Sequence, residues 1–139
     1  MEEQEPVLQT MLEKYDIEIG KVVKIDAFNM KDIQMDLPSK RHYWVGRLMY
    51  HKTQLANLTK QRKKAVKLVH KQLKEESPVG LSVKNLNESA DNHELVRKID
   101  DRIVEEEILI DYLTKIEANF RDMSFSIKNL IEIMKLETT

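Results

Sequence analysis

Two stretches of the chain repeat apolar residues at alternating steps of four and three. In the later one, Leu109, Leu113, Ile116, Phe120, Met123, Ile127, Leu130 and Met134 follow this spacing with no polar interruption. Steps of four and three return to one face of a 3.6-residue turn, which predicts a long amphipathic helix over residues 99–139, opened by the "IDD" cap around Asp100. Asp111 precedes Lys115, and Glu117 precedes Arg121, each by four positions with the acid first, the order that supports a helix. Ile103, Ile110, Ile131 and Ile133 widen the apolar strip beyond what one neighbour covers, so packing on both sides is expected.

The earlier stretch repeats the spacing through Trp44, Leu48, His51, Leu55, Leu58, Arg62, Ala65 and Val69. It predicts a helix over residues 37–75, with Asp36 as a capping candidate and Pro38 in the first turn, where its missing N–H is harmless. Gly46 is the internal weak point. Trp44 reads as a core residue. His51 and Arg62 interrupt the seam. The favoured reading places both at its edge, reaching solvent. The alternative pairs them with acids of the second helix or of another subunit, fixing register.

Around these helices, residues 1–36 form an acidic lead segment with short helices expected over 7–15 and 27–35, the latter capped by Asp26. "DIEIGKVVKID" is expected to be extended or irregular, because Gly20 interrupts its apolar residues. Residues 76–98 form a connector whose "SPVG" and "NLNESADN" are breaker signals, with room for a short helical piece. The predicted fold is one all-α domain: two long antiparallel helices in a helical hairpin plus short N-terminal helices.

Composition agrees with helices. Three Gly, three Pro, 6% aromatic and 34% charged residues do not suit a sandwich or barrel. The absence of Cys excludes disulfides, thiolate metal sites and cysteine nucleophiles. "MEEQEPVLQT" has no apolar stretch resembling a signal peptide, and no run approaches the roughly 18 apolar residues of a membrane span. A soluble intracellular protein is therefore expected. Gly20, Gly46 and Gly80 are too scattered for a phosphate-binding loop, and no HxxxH spacing occurs. The acids at 105–107 point in three directions on a helix and make a poor metal cage. No enzyme, metal site or cofactor is expected.

Charge is segregated. The net charge is −1, yet residues 38–74 contain eleven Lys or Arg and no acid. On a helical wheel Lys60, Lys63, Lys64, Lys67, Lys71 and Lys74 fall within one stripe opposite Leu58, Ala65, Val69 and Leu73, about 20 Å long at 1.5 Å per residue. Like charges at i,i+3 and i,i+4 repel, so such a stripe is disfavoured unless a polyanion or an acidic protein surface neutralises it. The acidic lead segment and residues 105–107 could supply the second. Composition and periodicity leave both readings open. Aromatics for base stacking would sharpen the first reading, but Tyr43, Trp44 and Tyr50 lie two or more turns upstream on the same helix.

Several stretches together resemble the UvsY recombination mediators of T-even-like phages. They are "KIDAFNMKDIQMDLPSKRHYW", where Ile25, Asp26 and Trp44 keep the family's spacing, "LANLTKQRKKAVKLVHKQL", its basic helix, and "LIDYLTKIEANFRDMSFSIKNLIEIMKLE", where Asp111, Phe125, Ile127 and Lys128 match its closing helix. The first 15 or so residues and the connector fall outside the resemblance, and the connector's length looks free to vary. The resemblance implies an all-helical subunit in a ring-like homo-oligomer, a hexamer or heptamer, assembled through its C-terminal part. It further implies a recombination mediator without ATPase activity that binds single-stranded DNA. Such a mediator promotes loading of the phage recombinase in place of the phage single-strand-binding protein, in the cytoplasm of the infected host and not at a membrane. In the basic helix Lys67 carries over, whereas a family arginine position is Val69 here, with His70 and Lys71 the nearest cations. Lys60, Lys63, Lys64, Lys67, His70, Lys71 and Lys74 are thus the expected DNA contacts. The ladder from Leu109 through Met134 is the expected oligomerisation surface. A non-catalytic oligomeric helical adaptor that docks on an acidic protein is the alternative.

Overall fold

The computed structural model describes residues 7–22, 29–76, 80 and 82–138. Among them are four helices and no strand: α1 (Val7–Val22), α2 (Met30–Glu76), α3 (Val83–Asn92) and α4 (Glu94–Glu137). The chain divides into two compact units, one of residues 1–49 with 109–139 and one of residues 50–108. No helix is long and apolar enough to cross a membrane among the described residues.

In the first unit, Leu109, Leu113, Ile116, Phe120 and Met123 of α4 share one core with Tyr15 and Ile19 of α1 and Leu37, Trp44 and Leu48 of α2. Ile127, the next rung, is also buried. The apolar strip on α4 therefore meets two helices, as its width predicted. Burying a ring the size of Phe120 contributes about 1.5–3 kcal/mol, so ten such contacts dominate this unit. Trp44 lies in the core with its ring edge-to-face on Tyr15, centroids 5.5 Å apart. Arg41 reaches Glu117 at 3.6 Å.

That core explains two departures from the sequence reading. Gly20 does not interrupt α1, which continues to Val22. Tyr15 and Ile19 sit four residues apart and are both buried. Their burial outweighs the roughly 1 kcal/mol that a helical glycine costs. Likewise α2 opens at Met30 instead of near residue 37, so Pro38 lies inside the helix and Asp36 is not its cap. An interior proline withdraws one backbone N–H and costs about 3 kcal/mol. Ile33 in the added turns and Leu37 next to them pack on the same core and offset that loss. The helix expected over 27–35 is thus the start of α2, while Ala27 and its expected cap Asp26 lie outside the described residues.

The second unit contains residues 50–76 of α2, α3, and residues 94–108 of α4. Ala65, Val69, Ala90 and Val96 form its core, with Val66, Leu73 and Ile99 packed alongside. The ion pairs His51–Glu106 and Arg62–Asp100 run in opposite chain order, so α2 and α4 are antiparallel here. Much of the expected connector is helical. Ser82 caps α3 by accepting a hydrogen bond from the Asn85 N–H at 3.2 Å. α4 begins at Glu94, ahead of the expected cap at Asp100, because His93 provides the start signal. The His93 N–H donates to the Ala90 carbonyl, closing α3, and its Nδ1 accepts from the Leu95 N–H at 3.2 Å, capping α4. A single residue ends one helix and begins the next.

Gly46 faces open space where a Cβ would stand. Gly46→Ala should stabilise the protein by about 0.5–1 kcal/mol, read as a higher thermal midpoint. A lower midpoint would show that this position needs the room.

Candidate nucleic-acid interface

The basic run on α2 separates into two fates within the second unit. Leu58, Ala65 and Val69 are buried, and this sets which way every other side chain of the segment points. Lys60, Lys63, Lys64, Lys67, Lys71 and Lys74 are all exposed. Among the described residues none of these lysines has a carboxylate within 4.0 Å. Lys67, Lys71 and Lys74 line an open depression of about 400 Å³ together with His70 and Glu75. The stripe is cationic and largely unquenched, and a phosphate chain could lie along it.

His70 differs from the lysines in being half-buried. Its Nε2 is buried and has no hydrogen-bond partner among the described residues. His70 still lines the open depression beside Lys67, Lys71 and Lys74, so it is Nε2 that is withdrawn from a phosphate there.

Arg62, embedded in the same run, turns the other way. Its Nε donates to Asp100 Oδ1 at 2.6 Å, and its Nη2 donates to Asp91 Oδ1 at 3.0 Å and Asp100 Oδ2 at 3.3 Å. These hydrogen bonds, the one to Asp100 above all, push the guanidinium pKa above its ordinary value. Arg62 thereby ties α2 to both α3 and α4. His51, 1% exposed, donates from Nδ1 to Glu106 Oε2 at 2.7 Å. Both polar seam residues take the pairing role, not the solvent-facing one favoured from the sequence. The wheel placed them on the packing side, but nothing in the sequence singled out Asp91, Asp100 or Glu106 as partners.

The ladder proposed for oligomerisation is divided. Leu109, Leu113, Ile116, Phe120, Met123 and Ile127 are covered by their own chain and have little surface to offer a second copy. Leu130 and Met134 are 40% and 42% exposed, and Phe125, Ile133 and Leu136 are exposed near them. Periodicity alone could not show where intrachain cover stops. The pairs Asp111–Lys115 and Glu117–Arg121 form as expected, at 2.9 and 2.8 Å.

These features define a class: helical proteins without strands among the described residues, in which a long helix presents an unneutralised cationic face. Two crystal forms of the bacteriophage T4 recombination mediator protein UvsY share this fold. One matches with a TM-score of 0.79 over 95% of this chain and 99% of that one, at 17% identity. The other gives 0.78 over 92% and 98%, at 19% identity. The UvsY resemblance read from the sequence therefore extends to the fold over nearly the whole of both chains. No family model and no curated protein sequence matches this chain.

Arg62→Ala should lower stability by about 1–2 kcal/mol in urea unfolding, because it leaves two aspartates facing each other across α3 and α4. Lys67→Ala, which removes the same charge from a side chain with no ion pair among the described residues, should change it by less than about 0.5 kcal/mol.

Proposed function

We propose that this protein is a non-catalytic recombination mediator that binds single-stranded DNA and helps a phage recombinase replace the single-strand-binding protein. The observation that carries this reading is the row of six exposed lysines with no carboxylate within 4.0 Å among the described residues, on the same helix as an arginine that is paired with two aspartates. The fold shared with UvsY supports it, since those structures are of a recombination mediator. The mechanism is electrostatic. Lysine ammonium groups meet phosphates and displace counterions without reading bases, so the strand is held regardless of sequence.

One stripe per chain grips weakly. A ring of subunits, a hexamer or heptamer in a helical-hairpin arrangement, raises affinity through effective concentration. The exposed apolar residues Phe125, Leu130, Ile133, Met134 and Leu136 provide the surface for that assembly. A strand wrapped on such a ring would lose contacts with its binding protein while being presented to the recombinase, in the cytoplasm of the infected host.

Fluorescence anisotropy of labelled oligo-dT across a salt series tests the DNA contact. The logarithm of affinity should fall by roughly 0.7 per phosphate neutralised for each logarithm of salt. Changing Lys64, Lys67 and Lys71 together to Ala should weaken binding at least about tenfold with the mass of the assembly unchanged. No binding by the wild type at low salt would leave the adaptor on an acidic protein as the better reading. For assembly, Leu130→Asp combined with Met134→Asp should yield smaller species by light scattering and an unchanged circular dichroism spectrum. An unchanged mass would remove the C-terminal surface from the interface.

A further inference from the structure

The first unit carries a second constellation suited to nucleic acid, remote in character from a row of lysines. On α2, Tyr43 is 43% exposed and sits one turn before Arg47. The Arg47 guanidinium lies over the Tyr43 ring, 5.2 Å from its centroid. Tyr43 is also the main reason that the Arg47 pKa is pushed above its ordinary value. From behind, Tyr43 is braced edge-to-face by Trp44, centroids 5.0 Å apart at 88°. Trp44 is itself held in the core against Tyr15. The exposed ring is therefore pre-oriented by a cation and by a buried aromatic, and little side-chain entropy remains to be lost when something stacks on it.

Beside this ring lies an open cleft of about 410 Å³ between α1 and α2, lined by Glu18, Lys21, Ser39, Lys40, Tyr43 and Trp44. Lys21 and Lys40 are the two cations of that lining. Ser39 and Glu18 offer acceptors to a base edge. An aromatic face, a guanidinium plane and flanking ammonium groups make up the set that single-stranded nucleic acids use when bases are unstacked. An acidic peptide would use the cations but leave the tyrosine without a purpose.

We propose that Tyr43 and Arg47 form a stacking platform for an unpaired base, with Lys21 and Lys40 holding the adjoining phosphates. This deepens the mediator reading and rests on it. The lysine stripe grips the backbone, whereas this site senses that the bases are free. Duplex bases are stacked on each other and cannot enter, so the platform gives preference for single strands, which phosphate contacts alone do not.

Oligo-dT and an abasic oligonucleotide of equal length and charge separate the two contributions. The wild type should bind oligo-dT about tenfold more tightly than the abasic strand, in keeping with one stacked base. Tyr43→Ala should bring that ratio close to one, Tyr43→Phe should retain it, and Lys67→Ala should weaken both strands alike. Quenching of Trp44, the chain's single tryptophan, by oligo-dT but not by the abasic strand would support the site independently. Equal affinities in the wild type, or an unchanged ratio in a folded Tyr43→Ala variant, would overturn the platform and leave backbone binding intact. Failure to bind either strand would overturn the mediator reading together with it.

Discussion

The rotation of α2 about its own axis is the constraint on which the other features depend. Within the second unit burial of His51, Leu58, Ala65 and Val69 sets this azimuth, and within the first unit burial of Trp44 and Leu48 does. Every remaining position then inherits its direction. Lysines at 60, 63, 64, 67, 71 and 74 must face outward, Arg62 must face inward, and Tyr43 with Arg47 must flank the seam. The cationic surface is thus a consequence of packing and needs no separate device to orient it.

The same azimuth makes the seam's polar members costly unless they are answered. His51 is enclosed and Arg62 half-enclosed, and each meets acids brought by α3 or α4. Such pairs add modest net stability but penalise alternatives strongly, because a slip of register strands a charge. A seam built only of Leu and Ala could slide by one heptad with little loss. In this protein the polar interruptions act as pins.

How much of this was legible in the sequence depended on whether a signal was local. The two long helices and the outward lysine stripe follow from periodicity, which is a property of one segment at a time. The continuation of α1 through Gly20 and of α2 through Pro38 was not legible. Local propensity opposes both, and the packing that overrides it, Ile19 and Leu37 on a shared core, joins distant segments. The platform at Tyr43 was half visible: the tyrosine stood out, but only the structure set Arg47 over its ring and Trp44 behind it. The ladder on α4 was legible as a period but not in the extent of its cover. Its period is uniform, yet cover ends after Ile127, because a chain's own partner helices are finite and a repeat does not record where they stop.

The joint at His93 has a geometric consequence. Arg62 holds Asp91 on α3 and Asp100 on α4 at once, and only His93 separates those helices. An extra residue within α4 between Glu94 and Asp100 would turn Asp100 by about 100° about the helix axis relative to the residues before it and swing it off the guanidinium. The interval from Asp91 to Asp100 therefore behaves like a gear tooth count, with His93 tied to the caps and Val96 to the core inside it. A region that looked, by composition, like the chain's most adjustable part contains its strictest spacing.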